Sequence, residues 1–122
     1  MAKSVDNDVL DGALNIVKNN CNLMTVCNAQ PTSRTEAVTT YALADVAMDS
    51  GDFTVADGDS SGRKLTVAAQ TGVAVDVSGT ATHVALVDGT RLLYVTTCTS
   101  QALTSGNTVD FPAWKIEIAD PS

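Results

Sequence analysis

Gly58-Asp59-Ser60-Ser61-Gly62 spells G-x-S-x-G, the loop that in hydrolases lifts a nucleophilic serine onto a strained strand-to-helix turn. Such a serine needs a base, and the chain has one histidine, His83. The residues after the loop, Arg63-Lys64-Leu65-Thr66-Val67, carry strand patterning rather than helical patterning. His83 sits in an alternating run, Thr82-His83-Val84-Ala85-Leu86, that places it on a sheet surface. The expectation is therefore a turn and a structural histidine. Asp57, Asp59, Ser61 and Gly62 also match the first half of an EF-hand loop, but the acid that should close it falls at Ala68. A looser oxygen-donor site from Asp49, Asp52, Asp57 and Asp59 is weighed against a solvated acidic loop, which is favoured. Carboxylates such as Asp45 and Asp49 have nothing to set them across a cleft.

Cys21, Cys27 and Cys98 are odd in number and form no C-x-x-C pair. Buried free thiols are the favoured reading, with no zinc or redox motif. There is no phosphate-binding glycine loop. No cofactor, no metal and no enzymatic activity are expected.

The formal net charge is −7, and the seven basic residues are scattered along the chain. Phosphate binding requires clustered Lys and Arg, and an anionic membrane surface repels such a chain. Neither nucleic acid nor membrane is an expected partner. The opening Met-Ala-Lys-Ser-Val-Asp is polar, unlike a signal peptide, and no run approaches transmembrane length.

Positioning elements follow from periodicity. Val9, Leu10, Ala13, Leu14, Val17 and Cys21 recur at spacings of three and four, predicting an N-terminal amphipathic helix capped by Ser4 or Asp6. Residues 23–29 read as a strand, and Ser33-x-x-Glu36 as a capping box opening a single turn near residues 35–38. From Tyr41 onward, β-branched runs alternate with Gly, Asp, Ser and Asn clusters. Strands are expected near residues 43–48 (an edge), 53–55, 64–69, 73–77, 81–87, 91–98 and 108–118. Asp88-Gly89 predicts a two-residue hairpin with positive φ, and Pro112 an edge or bulge in the last strand. Aromatics are 4% of the chain, so Trp114, Phe53, Phe111, Tyr41 and Tyr94 are its few large core pieces. The predicted fold is mainly β: an antiparallel β-sandwich or jelly roll of seven or eight strands with one N-terminal α-helix. It forms one domain over residues 1–122, with a helical arm or cap (1–22), the sandwich (23–118) and a polar tail (119–122).

Several stretches resemble a group of small structural proteins of tailed-bacteriophage particles. They include Thr39-Thr40-Tyr41-Ala42-Leu43-Ala44-Asp45, Ser50-Gly51-Asp52-Phe53-Thr54, Ser61-Gly62-Arg63-Lys64-Leu65-Thr66-Val67, Ala81-Thr82-His83-Val84-Ala85-Leu86-Val87-Asp88 and Arg91-Leu92-Leu93-Tyr94-Val95-Thr96-Thr97-Cys98. Leu10-Asp11-Gly12-Ala13-Leu14 and Pro112-Ala113-Trp114-Lys115-Ile116-Glu117-Ile118 fit the same pattern. The resemblance implies a virion component, made in the host cytoplasm and carried on the capsid exterior. It implies a head decoration or cement protein that binds the major capsid protein and stabilises capsomer joints, as a homo-oligomer with a trimer favoured. A tail or head–tail connector component and a carbohydrate-binding adsorption module are the alternatives. Val9, Leu10, Leu14 and Val17 are the expected partner-binding residues. The other reading of that face is a cap over the open end of the sandwich.

Overall fold

The computed structural model describes residues 4–119. The first helix, α1, spans Asn7–Asn20, and the Asp6 carboxylate caps it by accepting from the Asp8 amide at 2.8 Å. Leu10, Leu14 and Val17 turn inward. Two polar ties clamp the helix to the body. Lys18 Nζ donates to the carbonyls of Ser50 (2.9 Å) and Phe53 (3.1 Å). Arg63 Nε lies 2.8 Å from the Asp11 carboxylate. Of the predicted tail, residues 120–122 lie outside the described residues.

Among the described residues nine strands follow: β1 (Leu23–Cys27), β2 (Ala42–Ala47), β3 (Phe53–Asp57), β4 (Arg63–Val67), β5 (Gln70–Ala74), β6 (Gly79–Val87), β7 (Leu92–Leu103), β8 (Thr108–Phe111) and β9 (Trp114–Ile118). They form three antiparallel sheets, ordered β2-β1-β6-β7, β3-β4-β9 and β5-β8. The fold is mainly β and sandwich-like, with one N-terminal helix. One core unites the parts. Leu14 and Val17 of α1, Met24 and Val26 of β1, Leu65 and Val67 of β4, Leu86 of β6, Phe111 of β8 and Ile116 of β9 all belong to it. The opposite face of the four-stranded sheet carries a smaller cluster, where Ala37 packs with Ala85 and Val87.

Four local expectations change. The predicted final strand is two strands, because Pro112 lacks an N–H and stops the ladder. β8 pairs with β5, and β9, after the break, pairs with β4. The seventh strand runs on to Leu103, past the expected end at Cys98: after a bulge between Thr97 and Gln101 its pairing with β6 resumes at Ala81–Gln101 and continues to Gly79–Leu103. The Asp88-Gly89 turn does not use a positive φ at Gly89. Instead Asp88 and Arg91 close it through an amide–carbonyl bond of 3.0 Å, and the Asp88 carboxylate accepts from the Thr90 amide at 2.8 Å and from Arg91 Nε at 2.7 Å. The Ser33 hydroxyl does accept from the Glu36 amide (3.2 Å), but the Glu36 carboxylate reaches back to Thr32, and the helical turn winds with π spacing over Glu36–Thr40.

The buried Asp88 carboxyl is held down at about 2, chiefly by the Thr90 amide and then by the Arg91 side chain and amide, against burial that raises it. A depressed acid contributes stability above its unfolded-chain value of about 3.9 and loses it as pH falls through the folded value. Asp88→Asn is therefore expected to melt at lower temperature than the parent at neutral pH. The gap stays full above about pH 4 and closes as pH falls toward 2. Thermal melts of both proteins across that range check it, and a gap that stays constant would contradict the assignment.

Candidate binding surfaces

The G-x-S-x-G loop joins two antiparallel strands, β3 and β4, and no helix follows it. Its glycines serve the hairpin. The Gly58 amide donates to the Gly62 carbonyl at 2.9 Å. Gly62 has φ of 70°, and a Cβ there would fall 1.9 Å from the Ile118 carbonyl oxygen. Any side chain at 62 would push β9 away. Ser60 is exposed at the loop tip, while His83 lies on β6 in the other sheet with Nδ1 2.8 Å from the Thr82 hydroxyl. Ser60, in the β3–β4 loop, and His83, on β6, thus stand on different sheets' elements and are not brought together as a pair.

The four aspartates of the looser ion site are divided between two structures. Asp49 and Asp52 cap a short 3-10 turn reciprocally: the Asp49 carboxylate accepts from the Gly51 amide and the Asp52 carboxylate from the Asp49 amide. Asp57 pairs with Arg63 at 2.6 Å, and Asp59 pairs with both Lys64 and Lys115. Among the described residues, no group of three or more His, Cys, Asp or Glu side chains is placed to hold a metal. The three thiols are free, and burial pushes each of them up, which keeps them protonated.

Every lysine and arginine among the described residues is engaged within the chain. Lys18 holds carbonyls, Arg34 Nε donates to the Asp88 carbonyl at 2.7 Å, and Arg63, Lys64, Arg91 and Lys115 pair with acids. The cations are tied into internal contacts rather than gathered into a phosphate-binding patch. No helix among the described residues is long and apolar enough to cross a membrane.

What remains are surfaces for association. Of the four predicted partner-binding residues, Leu10, Leu14 and Val17 are buried in the chain's own interior and Val9 is 65% exposed. Val9 belongs to a second stripe that the sequence reading merged with the first. Val9, Ala13 and Ile16 share the spacing 4 and 3 and face outward, with Ile16 47% exposed. Ile16 was legible as the third member of that row, since it stands outside the inward spacing.

The second surface is beside β7. A groove of about 500 Å³ runs between this strand and the β8–β9 segment, lined by Val84, Thr96, Cys98, Phe111, Pro112 and Trp114 among others. The Trp114 ring is half-buried and stacks on Tyr94, with centroids 5.9 Å apart and planes at 30°. Its indole Nε1 is buried without a hydrogen-bond partner. Among the described residues β7 pairs with β6 alone.

The two helical stripes make opposite predictions. Leu14→Ala removes a side chain that is 1% exposed and is expected to cost about 2–5 kcal/mol of folding stability. Val9→Ser is expected to change stability by less than about 0.5 kcal/mol. Denaturant titration of both variants checks this, and equal small effects would show that α1 contributes little to the fold.

Comparison with protein-family models, with curated proteins and with solved structures returned no match to this chain.

Proposed function

We propose that this chain is a non-enzymatic structural component of a tailed-phage particle, a decoration protein that binds the major capsid protein on the outside of the head. The observation that carries the reading is the outward ridge of α1. Val9 and Ile16 stand exposed on a helix whose inner face and polar ties fix it to the body. A ridge held in place before binding loses little conformational entropy on docking, and apolar area on an otherwise acidic domain favours a protein partner. The resemblance of most of the chain to small virion proteins supplies the partner's class. The negative charge suits an outer shell surface better than contact with packaged DNA.

The mechanism is linkage. A protein that binds the assembled shell and not its free subunits stabilises the shell by mass action, and repeated copies around capsomer joints add their contacts. On this reading the inward face of α1 builds the domain and the outward face meets the shell.

Quantitative mass spectrometry of density-purified particles tests the proposal. Decoration requires an amount comparable to the major capsid protein. A much lower amount moves the chain to the tail or connector, and absence removes the virion role. The companion variant, Val9→Asp with Ile16→Asp, is expected to keep its melting temperature and to lose its place on particles. Retention at parental copy number would show that the shell contact lies elsewhere.

A further inference from the structure

We propose that the groove between β7 and the β8–β9 segment is a binding site for a neutral, largely apolar small molecule that carries an oxygen acceptor. The inference goes beyond shell binding and does not depend on it.

The groove lies where both of its walls leave their ladders. In β7 the pairing with β6 is bulged between Thr97 and Gln101, and Thr97, Cys98, Thr99 and Gln101 all line the groove. On the other wall Pro112 separates β8 from β9, and Pro112 and Trp114 are lining residues. Bulges re-aim side chains and are over-represented beside functional sites. This one also interrupts the regular row of backbone groups that an added strand would pair with. The side chains, rather than the strand edge, therefore name the occupant.

Size and lining give its chemistry. A volume of about 500 Å³ is that of small-molecule sites, which are mostly apolar with a few placed polar groups. Here the floor is core. Val26 and Ala81 of the four-stranded sheet and Val109 and Phe111 of the two-stranded sheet line it, and all four are buried. Such a floor suits an aliphatic or aromatic body better than the hydroxyl-covered ring of a sugar. The β7 wall offers threonine hydroxyls and the Gln101 carboxamide, which are uncharged. The two charged lining residues are committed elsewhere: the Asp110 carboxylate accepts from the Gly72 amide at 2.8 Å, and Lys115 pairs with Asp59 and Glu117. A charged ligand would lose hydration without gaining a free counter-ion, so the occupant is neutral.

The oxygen acceptor follows from Trp114. An indole N–H can only donate, and this one is buried without a partner in a side chain that lines the groove. A buried donor left unpaired is costly, and a ligand oxygen that pairs with it recovers that cost on binding. Because the nitrogen is buried, pairing tilts the indole from its stack on Tyr94.

Prodan, a neutral naphthalene ketone, is the probe that tests the site on the full chain. Trp114 is the one tryptophan of the sequence, so its emission reports on the groove. Titration is expected to quench Trp114 and to blue-shift prodan, saturating at one probe per chain. The anionic 1-anilinonaphthalene-8-sulfonate is expected to bind more weakly. Trp114→Phe removes the donor, and binding followed by prodan emission is expected to weaken about threefold to tenfold. Thr96→Phe fills the groove from β7 and is expected to abolish saturable binding. A parent that binds no prodan saturably overturns the proposal. Equal or tighter binding of the sulfonate overturns the neutral occupant, unchanged affinity in Trp114→Phe overturns the acceptor, and parental binding in Thr96→Phe overturns the location. Should a variant not fold, thiol labelling of the unaltered chain decides. Cys98 lines the groove, whereas Cys21 and Cys27 are buried, so saturating prodan is expected to slow maleimide labelling of Cys98. An unchanged rate overturns the site. Particle copy number reads a separate quantity, so either proposal can fail while the other stands.

Discussion

A two-stranded sheet is marginal in water and a three-stranded one needs a packed face, yet this chain is built from sheets of two, three and four strands. What makes them one body is a single apolar core that each of them lines, closed on one side by α1. The connections enforce the sharing. The chain leaves β8 at Pro112 and enters β9 in a different sheet, and the Ala44–Val75 bridge ties the four-stranded sheet to the segment that continues β5. Only two aromatic rings, Phe53 and Phe111, are buried in that core. Aliphatic side chains, Met24, Met48 and the Cys21 thiol fill the rest. Small pieces pack closely only if the backbone elements approach closely, which is why Gly62 can sit against the Ile118 carbonyl.

The same economy governs charge. With 14 acids against seven bases, a base left free on the surface would be the exception, and the structure commits the described ones to internal ties. Two of these ties, Lys18 to the carbonyls near β3 and Asp11 to Arg63 on β4, decide how α1 is seated. A helix of this length gains most of its stability from packing rather than propensity. Its seating therefore fixes which stripe is core and which is surface.

Fold class and most strands were legible because period-two alternation and Gly/Asp/Ser punctuation report directly on half-buried antiparallel strands. The inward row of α1 was legible for the corresponding reason at helical period. What escaped the sequence had no local signature. The continuation of β7 through Thr99-Ser100-Gln101 is polar and unalternating; it passes through a bulge and rejoins the β6 ladder only at Gln101. The Asp88 turn looked like an Asp-Gly hairpin because the short-range rule reads two residues. The actual turn is set by a carboxylate that reaches Thr90 and by Arg34 from 54 positions away. In the sequence Val9 reads with Leu10, because adjacent helical residues differ by only about 100°. A wide apolar arc then reads as one face until a sheet divides it.

That division has a consequence for assembly. α1 packs against β3 and β4, whereas the open edge belongs to β7 at the far margin of the other sheet. The apolar ridge and the free edge are therefore built on different sheets, and one can be occupied without covering the other. A strand edge without charge and a helix with two apolar stripes are each a liability in a solitary domain.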